Sequence, residues 1–282
     1  MRRYSRGLWL LIPGLVGFAA LFFIPFVLSF YFSFFQGIGS TRFVGFGNYQ
    51  AVIASGSFRL AVTNTLSFVA IGIPALLVLG MGMACLADYL HRAQMRGHTL
   101  WLALSMLPMV VPTSSVVLFF RACFEEAGFV NTILARFGVA PVRWLASDWG
   151  FWVLMLVYLW KNIPYCMVLL LAGMRSIDKN STEAAALDGA GPWALFCHIR
   201  LPQIIPFVYF STVIGLIQIF KIYRESYQLA GDYPHESMYM LQNYMNNAFS
   251  RLNTQGLSAA SVLFFAVMFA VLVFMSRHTT KS

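Results

Sequence analysis

Charge is scarce in this sequence. Only 10% of its 282 residues are Asp, Glu, Lys or Arg and 59% are hydrophobic, where a soluble domain carries about 25% charged residues. A soluble globular fold is excluded, and the chain belongs in a membrane. Other absences narrow the chemistry. The four cysteines, Cys85, Cys123, Cys166 and Cys197, form no CxxC pair, so they read as small buried side chains and not as a disulfide framework or metal site. The histidines, His91, His98, His198, His235 and His278, fall at segment ends or in loops without metal-ligand spacing, and no Ser-His-Asp arrangement is evident; a membrane enzyme is disfavoured. There is no G-x-x-x-x-G-K-[ST] loop to cradle the β and γ phosphates of ATP. Any ATP, with its Mg, must be bound by a partner, and no cofactor or metal is expected on this chain. No repeat, low-complexity tract or linker divides the sequence, which reads as a single domain, 1–282.

What is present is apolar sequence in long pieces. Runs free of Asp, Glu, Lys and Arg cover 7–41, 60–87, 97–120, 201–220 and 252–276, and 149–174 is interrupted only by Lys161. Each supplies the roughly 20 residues that cross about 30 Å of hydrocarbon as helix. The reading is an all-α membrane protein with six transmembrane helices at about 7–36, 60–87, 98–121, 149–174, 203–228 and 254–276. A β-barrel fits poorly, because its strands are about 10 residues long and alternate apolar with polar. The first run is too long for a secretory signal and ends in FFQGIGSTRF without a small-x-small cleavage site, so it reads as a retained helix.

Basic residues then set the orientation. Arg2, Arg3, Arg6, Arg92, Arg96, Arg175, Lys179, Arg200, Arg277 and Lys281 fall on one side, against Arg42, Arg59, Arg136, Arg143 and Arg251 on the other. Both termini and the 175–202 loop are expected in the cytoplasm. The net charge of +9 serves topology, since the basic residues are scattered around helix ends, and no nucleic-acid partner is expected.

The 175–202 loop, RSIDKNSTEAAALDGAGPWALFCHIRLP, is the one extended polar interruption on that side. Asn180 with Glu183 has capping-box spacing for a short helix. Gly189 and Gly191-Pro192 break it, so a second short helix is expected over 193–199 before the next span begins at Leu201-Pro202.

The motif EAA, three residues, Gly189, nine residues, then Ile199-x-Leu201-Pro202, resembles the signature of membrane permease subunits of binding-protein-dependent ABC importers. FVGFGNYQAVI at 43–53, Asn64-Thr65, Pro108 and Pro112, GFVN at 128–131 and Leu171 to Gly173 narrow the resemblance to the carbohydrate-uptake, maltose-type branch. It covers nearly the whole chain. It implies the type I ABC importer permease fold and a multi-pass location in a bacterial cytoplasmic (inner) membrane. It further implies a loop read by a cytoplasmic ATPase through Glu183, Ala184, Ala185, Asp188 and Gly189. The implied partners are a second permease, non-identical more often than identical, two copies of the ATPase subunit, an extracytoplasmic solute-binding protein and a saccharide. The binding protein would dock on 37–58, 124–148 and 231–251. One region departs from the pattern: after the fifth span the chain reads FKIYRESYQL and then AGDYPHES, without a double-glycine-proline.

Ionisable groups inside hydrocarbon cost roughly 2.5 to 3.5 kcal/mol each, so they face a cavity or a partner. Lys161 lies mid-span beside Trp160, Asn162, Pro164 and Tyr165; it either lines a path or pairs with a carboxylate of another span. Lys221 and Glu225 share a helix face at i,i+4, which permits an intrahelical pair. The sharper alternative is that Gln218, Lys221 and Arg224 line the substrate path, with Trp160, Tyr165, Tyr223, Tyr227 and Tyr244 as stacking partners for a sugar ring. Lys161, Lys221 and Arg224 against Glu225 leave a positive excess, which opens the possibility of an acidic saccharide or another acidic or non-sugar solute. An ion-coupled secondary carrier is the remaining transporter class; it calls for related halves and buried carboxylates. Small residues at Gly80, Gly82 and Ala84, or at 258–261, are expected to pack helices within the chain or between subunits.

Overall fold

Backbone in hydrocarbon must satisfy its own hydrogen bonds, and the apolar runs answer that demand as helices. The computed structural model describes residues 11–37, 42–178, 181, 185 and 187–279. The chain divides into two compact units, Met1–Arg59 with Tyr244–Val271, and Leu60–Asn243 with Leu272–Ser282.

In the first unit, helix α1 (Leu11–Phe32) buries none of its most apolar window within the chain. A π turn, Ala19–Phe23, closes on Ile24 N–H to Ala19 C=O immediately before Pro25. That widened turn absorbs the missing proline N–H, so α1 passes Pro25 without stopping. A short antiparallel ribbon, Phe35–Gln36 with Arg42–Phe43, leads to α2 (Gly47–Ala54). Here the GNYQ segment explains itself. Asn48 Nδ2 donates to the carbonyls of Ser33 (2.9 Å) and Phe35 (2.8 Å), and Tyr49 Oη lies 2.6 Å from Ser33 Oγ. All three are buried, so their polar atoms are partnered as burial requires.

The second unit carries α3 (Gly56–Arg92), whose first turn is counted with the first unit. It then runs through α4 (His98–Val110), α5 (Thr113–Phe124), α6 (Phe129–Arg136), α7 (Trp149–Ser176), α8 (Leu201–Phe220) and α9 (Tyr223–Ala230). The helices α10 (Leu241–Ser250) and α11 (Thr254–Thr279) complete the chain. Phe68 and Leu76 of α3, Leu154, Met167 and Leu170 of α7, and Ile204 and Ile219 of α8 are among its fully buried side chains.

Close approach of α3 to α7 depends on Gly80. A Cβ there would lie 2.6 Å from Cys166 Sγ and 3.0 Å from Cys166 Cβ, whereas one at Gly82 meets nothing within 4 Å. Gly80 therefore packs inside the chain. Gly80→Ala is expected to lose about 1–3 kcal/mol to overpacking, a fall of several degrees in the thermal midpoint in detergent, while Gly82→Ala leaves it unchanged or higher. Equal shifts in the two variants would overturn this assignment.

Three sequence-based boundaries change. The third span is not one helix: α4 and the stretch Thr113–Arg136, which begins with α5, meet at 91°, with Val111 (ψ 131°) and Pro112 (ψ 138°) extended. Proline forces its predecessor out of the helical region, and the hydropathy run ignores that. The fifth span is interrupted at Lys221–Ile222, where Ile222 N bonds Ile219 O at 3.1 Å, so Lys221 and Glu225 do not form the i,i+4 pair. The helix expected over 193–199 is also not separate. Pro192–Leu195 and a second π turn, Phe196–Arg200, run directly into α8, with Leu201 N–H reaching Phe196 C=O one residue before Pro202. Both π turns solve the same local problem.

Candidate functional site

Two regions of the second unit combine polar groups with an unusual setting, one at each end of α8. The first is the polar loop. Of its expected contact residues, Glu183 and Ala184 lie outside the described residues, as does Asn180 of the expected cap. Ala185 is helical, and its carbonyl receives Ala190 N–H at 3.0 Å across a turn at Asp188–Gly189. Gly189 has φ +84°, a left-handed conformation that side-chain-bearing residues pay to adopt. The turn is flanked by two large apolar side chains left in the open, Leu187 at 88% and Trp193 at 77% exposure. A stiff turn carrying an exposed leucine and tryptophan has the composition of a protein-binding knob.

Beneath this turn lies a group that hydropathy overlooked. Asp88, at the end of α3, is buried, yet its Oδ2 takes Arg92 Nε at 2.9 Å and lies 3.7 Å from a terminal guanidinium nitrogen of Arg200. The signal was present in the sequence as the acid that ends the 60–87 run.

The second region gathers α5, α7 and α9. Lys161 Nζ lies 3.9 Å from Glu225 Oε1, so of the two alternatives for Lys161 the structure has pairing with a carboxylate of another helix. Arg224 is near enough for its charge to act on both. Glu225 Oε2 and Gln228 Oε1 are buried without a hydrogen-bond partner, and Gln228 Nε2 donates to Ser114 Oγ at 3.0 Å. Two spare acceptors three residues apart on one helix, next to an ammonium, form a site suited to hydroxyl donors. Sequence reasoning missed Gln228 and Ser114; the i,i+3 spacing from Glu225 was the available clue.

The other expected pathway residues do not all converge here. Asn162 Nδ2 is spent on its own helix, donating to Tyr158 O at 2.8 Å, and Trp160 meets Phe120 edge-on at 6.0 Å. Tyr165 is half-buried, and Gln218, Lys221 and Arg224 are exposed. Tyr223 and Tyr227 meet one another as tilted rings at 5.8 Å. Tyr244 belongs to the first unit, where it packs on Phe58 at 5.2 Å; burial pushes its phenol above the ordinary range, opposed by a hydrogen bond with Ser55.

Next to the polar cluster is an open cleft of about 410 Å³ whose lining includes Arg121, Phe124, Arg143, Trp144, Tyr233 and His235. Its rim carries the pairs Arg121–Glu125 (3.0 Å) and Arg143–Glu126 (2.7 Å). The loop wall is held by Asn131, which donates to Val142 O (2.9 Å) and accepts from Val142 N (3.1 Å) and Trp144 Nε1 (2.9 Å). Asn64 does similar work elsewhere in the unit, donating to the carbonyls of Glu236 and Tyr239. The asparagines behind the family resemblance thus serve the architecture of the loops.

The chain matches the family model described as binding-protein-dependent transport system inner membrane component over residues 78–280. It is 32% identical to the sulfoquinovosyl glycerol transport system permease SmoG of Agrobacterium fabrum, over 82% of this chain and 74% of that one. It is 27% identical to the lactose transport system permease LacF of Rhizobium radiobacter, over 99% and 96%. Its fold superposes on a chain of a bacterial alginate ABC transporter, solved with an alginate pentasaccharide-bound periplasmic protein, with TM-score 0.82 at 21% identity and coverage of 100% and 97%. Helix content, five to six candidate spans and these likenesses agree: the chain belongs to the binding-protein-dependent ABC importer permeases, in their carbohydrate-uptake branch, and is a transport subunit with the type I fold, not an enzyme.

Proposed function

We propose that this chain forms half of the path of an ATP-driven saccharide importer of the bacterial inner membrane, with both termini and the 175–202 loop in the cytoplasm. The observation that carries the reading is the Gly189 turn with exposed Leu187 and Trp193, linked through Ala190 and Gly191 to helix that runs from Pro192 directly into α8. A push on that turn is delivered to a membrane span. An ATPase subunit, present twice, seats on the turn through Glu183, Ala184, Ala185, Asp188 and Gly189, and binds the ATP and Mg that this chain has no loop to hold. A second permease, similar but non-identical, completes the path. The solute-binding protein docks on the opposite side, at the cleft rimmed by the arginine-glutamate pairs.

The saccharide class is supported by the relatives, whose names include lactose and sulfoquinovosyl glycerol, and by the spare acceptors of Glu225 and Gln228. An acidic saccharide is the second reading. Glu225 answers Lys161, which leaves Lys221 and Arg224 exposed as uncompensated positive charge.

The test is reconstitution. The chain, the ATPase and second permease encoded with it, and the binding protein are assembled in proteoliposomes and supplied with labelled neutral and acidic oligosaccharides. ATP-dependent uptake of either class is expected, and the class taken decides between the two substrate readings. Uptake by the lone chain on an ion gradient would overturn the proposal.

A further inference from the structure

We infer that Asp88 is a positioning residue that passes motion of the cytoplasmic turn to the second span, by exchanging its hold between Arg92 and Arg200. The inference rests on the coupling role proposed above. Asp88 ends the apolar run of α3 and is 5% exposed. A carboxylate so placed calls for close cationic partners. Arg92, one helical turn later, contacts it at 2.9 Å from a position that is half in solvent. Arg200 approaches from the other direction, at the last residue of the π turn between the Gly189 loop and α8.

The two contacts are unequal, and the inequality is informative. Arg200 stands off at 3.7 Å, and its Nε is buried with no hydrogen-bond partner. A guanidinium is a planar fork built to hold a carboxylate through two parallel bonds. Here one terminal nitrogen reaches toward the carboxylate without bonding it, and the Nε donor stands idle among the described residues, in a place where an idle donor is costly. Advance of the π turn by about an ångström closes Arg200 on Asp88 and frees Arg92 to water. Retreat restores the arrangement seen here. Asp88 belongs to α3 and Arg200 leads into α8, so the exchange ties two spans to the movement of one turn. That gives coupling the discrete two-state element it needs.

The experiment uses the complete transporter in proteoliposomes and reads saccharide taken up per ATP hydrolysed, with the thermal midpoint measured in parallel. Arg200→Lys keeps the charge beside Asp88 but removes the fork. It is expected to lower the ratio roughly fivefold, the middle of the range for residues that carry coupling. Asp88→Asn is expected to lower it at least as far, and Arg92→Gln by less than twofold. A fall in the midpoint with an unchanged ratio for both Arg200→Lys and Asp88→Asn assigns a purely structural role and overturns the inference. If Asp88→Asn does not assemble, Arg200→Lys decides alone, since it strands no buried charge. Gly189→Val is run beside them. If it leaves ATPase retention and uptake intact, the coupling reading itself fails; if it abolishes uptake while Asp88→Asn and Arg200→Lys keep the ratio, only the exchange fails.

Discussion

Glu225→Gln should cut uptake about tenfold in the assembled transporter, and Lys161→Gln should do the same. The Lys161 and Glu225 side chains are 25% and 16% exposed and 3.9 Å apart, a pair neither fully desolvated nor freely hydrated. Removing one partner of a buried pair costs about 3–5 kcal/mol, and the partial hydration and long contact here reduce that to about 1–2 kcal/mol, or roughly tenfold. The loss has a second origin in Glu225. Its Oε2 is buried without a donor, so an incoming hydroxyl has an ionised acceptor waiting, and charge-assisted hydrogen bonds are about twice as strong as neutral ones. The amide keeps the shape of the carboxylate and gives up that advantage. Labelled-saccharide uptake at several concentrations is the measurement, with ATPase co-purification as the control for assembly. Wild-type uptake in both variants removes the cluster from the path.

The second large effect is expected at the polar turn. Gly189→Val places a β-branched residue at φ +84°, which costs about 1–2 kcal/mol where the turn is kept and more where it is abandoned. Apart from its chain neighbours, no atom of the described residues lies within 4 Å of the added Cβ, so the substitution reshapes the turn without a clash among them. Trp193→Ser acts by a different route, removing a ring that is 77% exposed and free to fill a groove on another protein. Truncation of such anchors costs at least about 2 kcal/mol of binding, near thirtyfold in affinity. Both variants should retain wild-type helix content, Trp193→Ser with the wild-type thermal midpoint and Gly189→Val with one lowered by a few degrees, while the ATPase no longer co-purifies and uptake ceases. Retention of the ATPase by both would remove this turn from the interface.

That the apolar runs are helices was legible because long charge-free runs admit little but helix. What escaped were features that depend on one backbone group or one partner. Hydropathy does not register that Pro112 withholds a hydrogen bond, so the bend between α4 and α5 was missed. It also treats a proline as a natural start, although the π turn before Pro202 lets the helix begin ten residues earlier, at Pro192. The Lys221–Glu225 spacing was right for an uninterrupted helix, and the turn at Ile222 delivered Glu225 to Lys161 instead. Periodicity along one helix cannot report such a choice between helices. Asn48 and Asn131 stood out by resemblance, but their work, bonding loop carbonyls, became visible only with those loops in place. Asp88 looked like the end of a span because its second arginine lies more than a hundred residues away in the chain.

The bend between α4 and α5 has a consequence for how the protein must be made. Pro112 has no N–H to give the carbonyl of Pro108, and Val110 beside it is 76% exposed. Acyl chains offer no donor to a bare carbonyl, so opened backbone in a bilayer settles only against protein or water. The bend therefore leaves the Pro108 carbonyl without the donor that a continuous helix would supply. The second permease proposed above is the cover expected for this stretch, and the yield of the chain should rise when that partner is co-expressed.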